Sequence, residues 1–338
     1  MNFNKLDKFL DKALFMYDLP GLAVGIGYND QTYIKSLGYK NYIQKVPLEN
    51  HHIFHMASIS KLLVGTSILL LWEDGKINLD EKLITYLPWF EIKDLRYKNI
   101  TIRQLLSHTS GLPDVENYNW DKPETDDEAL ERFVRSDEVK QSNLLWDPED
   151  KRFAYSNIAY EILGTVIATV SGITFEDFVH EKIFKVLDMK DSSMLTFKRD
   201  MRELCSPHVK SDDKEIVLAP HFPYNRRHAP SSTFTSNLED LGKWAKANLN
   251  KTILKAGTYE MAWESQAIVP NNKEHICLSW FRREQKGHIL YGHEGSDDGF
   301  RSSFWICPEL NLYITVCSNI SNAPVKRINK ELFDIISS

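Results

Sequence analysis

The chain has few cysteines and no long hydrophobic run. Only 4 of its 338 residues are cysteine, and none of them forms a Cys-x-x-Cys pair. We therefore expect neither a disulfide framework nor a zinc finger, and we interpret the cysteines as buried free thiols. The longest apolar stretch, residues 62–72, contains Gly, Thr and Ser and is too short to cross a bilayer.

Basic residues and metal ligands are also scarce. The formal net charge is −6, and the absence of a basic run disfavours a nucleic-acid partner. The only histidine group with metal-like spacing, residues 51–55, has no cysteine or carboxylate nearby to complete it, so we expect no metal and no cofactor. The first seven residues lack the apolar core of a signal peptide. These features predict a cytoplasmic protein that binds neither nucleic acid nor membrane.

Three short motifs in a fixed order contain residues suited to acyl transfer. They are Ser58-Ile59-Ser60-Lys61, Tyr155-Ser156-Asn157 and His293-Glu294-Gly295. A serine hydroxyl is a poor nucleophile until a neighbouring base takes its proton. A lysine three residues later on a helix lies on the same face and can be that base.

Each motif alone is weak evidence for a catalytic site, because short strings of this kind also occur by chance. The sequence around each motif distinguishes the favoured copies. A second Ser-x-x-Lys string occurs at residues 211–214, and Tyr-x-Asn recurs at 39–41 and 97–99. Ser58, by contrast, opens a helix that is apolar nearly all round and is therefore expected to be buried. The free N–H groups and positive dipole at the N-terminus of such a helix suit an oxyanion. Tyr155 precedes another apolar helix, where its side chain can project into a cleft.

The pattern of elements predicts an α+β protein with two lobes. Strand-like segments lie near both ends, whereas helical periodicity dominates the middle. We expect residues 1–75 and 230–338 to form an α/β lobe that carries Ser58 and His293. Residues 76–229 would form an inserted, mainly helical lobe that carries Tyr155. The active site would lie in the crevice between the lobes.

With these motifs the chain resembles the serine β-lactamase and penicillin-binding-protein superfamily, specifically its class C branch. That branch contains class C β-lactamases, DD-peptidases, D-aminopeptidases and esterases. Three further strings support the resemblance, namely Leu19–Leu22, Leu105–Leu112 and Gly292–Phe300. The resemblance implies a β-lactamase/transpeptidase-like fold, in which an antiparallel sheet is flanked by helices and an all-helical lobe is inserted.

The resemblance also implies catalytic roles. Ser58 would attack a carbonyl and become acylated. Lys61 and Tyr155 would move the proton, and either could be the formal base, because their titrations are coupled. Ser60 and His108 are interpreted as structural residues, a helix cap and part of a supporting turn.

The remaining motif residues would bind substrate. Asn157 would hydrogen-bond Lys61 and the acyl-side amide, and His293 would lie beside Tyr155 as a hydrogen-bonding or titrating group. The backbone N–H groups of Ser58 and Ser296 would form the oxyanion hole, next to Gly295.

Glu294 departs from the family pattern, in which a hydroxyl at this place helps to bind a substrate carboxylate. One hypothesis is that Glu294 repels anions, so that esters, amides or amine-bearing substrates are preferred to β-lactams and peptides ending in D-Ala. The alternative is that Glu294 points toward solvent or Arg301. Arg226 and Arg227 could recognise an anion and would then oppose the first hypothesis.

Taken together, the motifs and the resemblance predict a serine hydrolase that acts through an acyl-enzyme on Ser58. Its substrate would be a small molecule or short peptide, namely an ester, an amide or a D-amino-acid peptide. Two alternatives stay open: a β-lactamase or DD-peptidase, and a binding or sensor protein that is acylated but hydrolyses slowly. The intact motifs argue against a protein that kept the fold without activity. The oligomeric state stays undetermined.

Overall fold

The computed structural model describes residues 1–198, 200–270 and 273–337. The strands are β1 Gly21–Tyr28, β2 Gln31–Asn41, β3 Val46–Pro47, β4 Phe54–His55, β5 His208–Lys210, β6 Ile216–Leu218, β7 Thr235–Ser236, β8 Ala267–Ile268, β9 His275–Ile276, β10 Phe281–Gln285, β11 His288–Asp297, β12 Phe300–Cys307 and β13 Leu312–Ser318. The helices are α1 Phe3–Met16, α2 Ser60–Glu73, α3 Leu83–Tyr86, α4 Ile102–Leu106, α5 Ala129–Val134, α6 Asp137–Lys140, α7 Asn157–Ser171, α8 Phe175–Val179, α9 Ala229–Ser232, α10 Leu238–Leu249, α11 Ala256–Ala262 and α12 Val325–Ile336.

One large sheet joins the two ends of the chain. Nine of the strands formed by the described residues are hydrogen-bonded in the order β3-β2-β1-β13-β12-β11-β10-β9-β8. Every pairing in it is antiparallel, and β1 pairs with β13 so that Val24 lies opposite Val316. Gly292 is the last residue of β11 that pairs with β10. From His293 onward, β11 pairs only with β12 among the described residues. This part of β11 is therefore a free edge that a substrate can reach.

Each face of the sheet is covered by helices because strand side chains alternate between the faces. On one face, α1 and α12 pack through Leu10 and Leu332 against Val24 and Ile314 of the sheet. The other face packs against α2, α10 and the helices of the inserted lobe. The nucleophile helix α2 is buried along almost its whole length, as its apolar sequence predicts.

The α+β architecture expected from the sequence is observed, but several elements differ. Residues 277–280, although apolar and strand-like in sequence, connect β9 to β10 and form no strand. The stretch 76–229 contains the β5–β6 hairpin, so the expectation of an all-helical lobe needs correction. Helix α12 was not anticipated, although Val325, Ile328 and Leu332 follow helical spacing and are buried.

The four cysteines are free and buried, as expected. Among the described residues, no single helix has both the length and the apolar character needed to cross a membrane. Helix α7 and the segment Phe175–Phe184 reach that length and composition only jointly, across a bend of 77°.

Close packing of α2 against the loop before β10 generates a first prediction. A Cβ atom added to Gly65 would lie 2.6 Å from the Cβ atom of Ser279, whose hydroxyl accepts from Tyr160 at 2.9 Å. Gly65→Ala should therefore lower the free energy of unfolding by about 1–3 kcal/mol through overpacking. Urea denaturation followed by circular dichroism measures this change.

Gly257→Ala is the matched control, since no atom lies within 4 Å of the added methyl group. It should leave stability unchanged or raise it by about 0.5 kcal/mol. Equal midpoints for the two variants would contradict the close approach of α2 and Ser279.

Candidate active site

Ser58 lies in a tight turn directly before α2. Residues Ala57–Ile59 form a 3-10 turn and α2 begins at Ser60, so Ser58 is not the first α-helical residue that we predicted. Ala57 has a φ of 49°, a left-handed conformation that costs free energy for a residue with a side chain. The Ser60 hydroxyl donates to the Ala57 carbonyl at 2.7 Å and accepts from the Phe234 N–H at 3.0 Å. Ser60 therefore holds the turn, which is the structural role predicted for it.

The Lys61 ammonium is buried beside the nucleophile. Its Nζ donates to Ser58 Oγ at 3.0 Å and to the Ser231 carbonyl at 2.8 Å. The side chain is completely shielded from solvent. Burial lowers the pKa of Lys61 to about 8, and nearby carboxylates, Glu161 foremost, oppose this shift. Neutral Lys61 is therefore populated close to physiological pH.

Tyr155 approaches Ser58 from the segment that precedes α7. Burial raises the pKa of Tyr155 well above its ordinary value, and a hydrogen bond with Ser58 opposes the rise. The His108 ring stacks on the Tyr155 ring at 4.4 Å between centroids. Its Nδ1 accepts from the Ser156 N–H at 3.1 Å. His108 thus supports the turn that carries Tyr155, as expected.

Asn157 begins α7 and does not make the contact expected of it. Its Nδ2 donates to Asp114 Oδ1 at 2.8 Å and to the Tyr118 hydroxyl. Among the described residues, the Lys61 hydrogen bonds lead to Ser58 and Ser231. The predicted bond from Asn157 to Lys61 is therefore corrected, because the amide nitrogen of Asn157 is directed at Asp114 and Tyr118 while Lys61 donates to Ser58 and Ser231 instead.

His293 lies on the free edge of β11, with its ring 6.2 Å from that of Tyr155. Its Nδ1 lies 2.6 Å from the Glu294 carbonyl and must donate to it. Burial lowers the pKa of His293 to about 3. The ring is neutral at physiological pH, so of the two roles left open for it, hydrogen bonding fits and a titrating charge does not.

Glu294 points away from His293 because successive residues of a strand face opposite sides of the sheet. Its Oε1 accepts from the Trp305 indole N–H at 2.7 Å. Burial raises the pKa of the Glu294 carboxyl, and this hydrogen bond opposes the rise. Arg301 instead donates to the carbonyls of Asp297 and Phe300. Of the two hypotheses for Glu294, the alternative of an orientation toward solvent or a basic partner such as Arg301 is thus corrected: the carboxylate contacts Trp305, and Glu294 lines the cavity described below.

Gly295 and Ser296 bring the free edge of β11 against the nucleophile turn. A Cβ atom on Gly295 would collide with the Met56 carbonyl and the Ser302 hydroxyl, which themselves form a 2.8 Å hydrogen bond. Ser296 and Ser58 both line the same cavity. This placement fits the backbone pair predicted for an oxyanion hole.

The cavity between the lobes has a volume of about 500 Å³ and brings the predicted site residues together. It is lined by Ser58, Tyr155, Asn157, His293, Glu294 and Ser296, together with Asp114, Tyr118, Phe153, Ser232, Val269, Glu274, Phe281, Asp297, Trp305 and Lys326. Lys61 lies behind Ser58 rather than in the wall. Our sequence reasoning did not identify Asp114 as a site residue, although it follows the family-like string Leu105–Leu112 at a distance of two residues.

The charge facing the cavity is mainly negative. Asp297 Oδ2 is held by His55 Nε2 at 2.7 Å and by the Ser232 hydroxyl, and its side chain is 11% exposed. Asp114 Oδ1 also accepts from the backbone N–H of Asn157 at 2.8 Å. Two carboxylates are thus fixed within reach of a bound substrate.

The two arginines considered as anion-binding groups are already paired. Arg226 Nε donates to Glu176 at 2.8 Å, in a pair that is almost fully buried. Arg227 donates to Glu124. Neither arginine lines the cavity, so the expectation that they recognise an anionic substrate is wrong. Within the described ranges, no group of three or more His, Cys, Asp and Glu residues could hold a metal ion.

An α+β fold thus brings a serine, a lysine and a tyrosine together at one cavity. The chain belongs to the Beta-lactamase family, whose model matches residues 6–335. It is similar to "Protein flp" of Staphylococcus aureus strain N315, with 25% identity over 97% of this chain and 65% of that protein. The chain therefore spans less than two thirds of the length of this relative.

Two solved structures show the same fold. A penicillin-binding protein homologue from Pyrococcus abyssi, described as octameric, matches with a TM-score of 0.87 and 23% identity, covering 100% of this chain and 78% of that one. A D-amino acid amidase from Ochrobactrum anthropi SV3 matches with a TM-score of 0.82 and 21% identity, covering 99% of this chain and 98% of that one. These likenesses confirm the β-lactamase/transpeptidase-like fold predicted from the sequence.

The contact of Gly295 with the nucleophile turn generates a second prediction. Gly295→Ala should push β11 away from Met56 and displace the Ser296 N–H from Ser58. The loss of one oxyanion donor costs on the order of a hundredfold in rate, so kcat toward an activated ester should fall about that much. The measurement is p-nitrophenyl ester hydrolysis at saturating substrate.

Gly287→Ala serves as the control, because Gly287 lies in the β10–β11 turn with open space around it and a φ of 79°. It should strain that turn yet leave kcat close to that of the wild type. Unchanged kcat in Gly295→Ala would contradict the proposed oxyanion geometry.

Proposed function

We propose that the protein hydrolyses ester or amide substrates by transferring their acyl group first to Ser58 and then to water. The observation that carries this proposal is the double contact of Ser58. Its hydroxyl meets the Lys61 ammonium nitrogen at 3.0 Å and is hydrogen-bonded to Tyr155. A hydroxyl held between a base and an acid at the wall of a substrate-sized cavity is equipped for nucleophilic catalysis.

The two partners of Ser58 divide the proton transfers. Lys61, with its pKa lowered to about 8, takes the Ser58 proton as Oγ attacks the carbonyl carbon. Tyr155, with its pKa raised by burial, stays protonated in the free enzyme and gives its proton to the leaving alcohol or amine. The Lys61 ammonium then returns a proton to Tyr155. Water attacks the acyl-enzyme in the reverse sense, and its proton passes through the same pair to Ser58 Oγ.

The cavity charges support a substrate that carries an amine. Asp114 and Asp297 line the cavity and would attract an ammonium group while repelling a carboxylate. Phe153, Phe281 and Trp305 supply apolar walls for a side chain. We therefore propose esters or amides of amino acids, or short peptides with a free N-terminus, as the substrate class. Asp114 and Asp297 would thus add to the repulsion of anions that the first hypothesis attributes to Glu294, which lines the same cavity.

Two finer assignments belong to the same proposal. We propose that the chain belongs to the class C branch, because its Tyr155-Ser156-Asn157 motif resembles the Tyr-x-Asn element that this branch uses in place of Ser-Asp-Asn. The D-configuration of the substrate is proposed because a structure of the same fold is described as a D-amino acid amidase.

The catalytic pair generates a third prediction. Ser58→Ala should abolish p-nitrophenyl ester hydrolysis and the mass adduct of a fluorophosphonate. In the wild type, kcat/KM should rise with pH around a midpoint near 8, because Lys61 must be neutral to accept the proton. Intact-protein mass spectrometry and a pH–rate profile test both statements.

The alternatives give different results in the same assay. A persistent penicillin adduct on Ser58 without turnover would indicate a slowly deacylating binding protein, and rapid penicillin hydrolysis would indicate a β-lactamase. Absence of any Ser58-dependent adduct would refute acyl transfer by this site.

The cavity carboxylates generate a fourth prediction. Asp297→Asn should lower kcat/KM for a D-phenylalanine ester about tenfold relative to its N-acetyl analogue, because only the free amine is cationic. The ratio of the two substrates cancels any general loss of activity. Asp298→Asn is the matched control, since its carboxylate does not line this cavity, and it should keep the wild-type ratio. The amine-binding proposal fails if both variants keep that ratio.

A further inference from the structure

Behind Lys61 lies a second buried network that the acyl-transfer steps do not use. Its centre is Glu161 of α7, whose side chain is completely shielded from solvent. Glu161 Oε1 accepts from the Ser231 hydroxyl at 2.5 Å and lies 3.1 Å from His228 Nδ1. The His228 ring is enclosed by Phe133 and Tyr118, with centroid distances of 4.7 and 5.0 Å.

This network reaches Lys61 through a single residue. Ser231 belongs to the four-residue helix α9, and its backbone carbonyl accepts from Lys61 Nζ at 2.8 Å. The side chain of the same Ser231 is anchored to Glu161. A short helix has few internal hydrogen bonds, so this anchor fixes the direction of the carbonyl that holds Lys61.

Burial of a carboxylate at this place costs free energy. We therefore expect Glu161 to have a role that an apolar side chain could not fill. Glu161 lies in a helix whose neighbouring buried residues, such as Ile158 and Ile162, are apolar. Removal of a carboxylate charge from water carries a large free-energy cost in proteins. Burial of the Lys61 ammonium has the same kind of free-energy cost, and a nearby negative charge offsets that cost.

We propose that Glu161 is a positioning residue for acyl transfer, whose buried carboxylate orients Ser231 and keeps the Lys61 amine directed at Ser58. The inference rests on the proposed role of Lys61 as the base. It is supported by the pKa of Lys61, since Glu161 is the foremost charge that opposes the lowering caused by burial.

Other groups also face Lys61, and the test must keep them constant. The carboxylates are Asp114 and Asp297, the tyrosine rings are those of Tyr155 and Tyr160, and the buried imidazoles are those of His108 and His293. His228 is the titratable group that contacts Glu161 itself. A substitution confined to Glu161 leaves all of them in place.

The experiment compares Glu161→Gln with the wild type by two readouts. The amide of Gln keeps the shape and can still accept from Ser231, but it removes the charge. NMR of protein labelled with ¹³Cε-lysine, with the Lys61 signal assigned by its loss in Lys61→Arg, follows the titration of Lys61 without turnover. Its midpoint should move down by about one pH unit. The pH–rate midpoint for p-nitrophenyl ester hydrolysis should move down with it, with little change in KM.

Glu176→Gln is the matched control, because it also removes a buried, paired carboxylate from the helical lobe, but not one beside Lys61. It should leave both midpoints unchanged. Ser231→Ala keeps the backbone carbonyl but cuts its anchor, and should lower kcat about tenfold through misalignment of the base.

Each result bears on one proposal only. An unshifted Lys61 titration in Glu161→Gln, or an equal shift in Glu176→Gln, would overturn the positioning role of Glu161. Absence of Ser58-dependent ester turnover in the wild type would instead overturn the proposed function, while the NMR titration would still decide whether Glu161 controls Lys61.

Discussion

The site depends on one constraint, the burial of the Lys61 ammonium against Ser58. A buried amine needs hydrogen-bond acceptors and opposing charge, and the protein supplies both from separate parts of the chain. The Ser231 carbonyl precedes α10, whereas the carboxylate of Glu161 lies on α7. The packing of α9 and α7 against α2 therefore also sets the pKa of Lys61, the proposed base. Loss of either contact would destabilise the Lys61 ammonium and lower the pKa of Lys61 further.

The free edge of β11 is the second element on which the site depends. Because β10 begins at Phe281, opposite Gly292, the edge from His293 onward has no strand partner on this side among the described residues, and His293 faces Tyr155 there. The same edge carries the neutral His293 and the Ser296 N–H, and it ends at Asp297, which His55 holds from behind. A hydrogen-bonding strand edge next to a nucleophile and a fixed carboxylate suits an extended substrate with a cationic group.

Several residue assignments could be made from the sequence because the chemistry requires them close together. Ser58 and Lys61 share a face whether the turn is 3-10 or α-helical, so the error in the helix start did not change their contact. The contact of Asn157 was predicted incorrectly and that of Glu294 was left open, for a different reason. Each has a polar side chain with several possible partners, and the choice of Asp114 or Trp305 depends on how distant segments pack.

By itself the sequence determined the fold class and predicted the grouping of Ser58 with Lys61 and Tyr155, because local spacing and the order of the three motifs carry that information. Only the tertiary structure decided the environment of these groups. It placed Asp114 and Asp297 in the cavity, paired Arg226 and Arg227 away from it, and buried Glu161 behind Lys61. The physical reason is that desolvation and charge act through space. The pKa of Lys61 is therefore set by residues that lie 53 to 236 positions away in the chain.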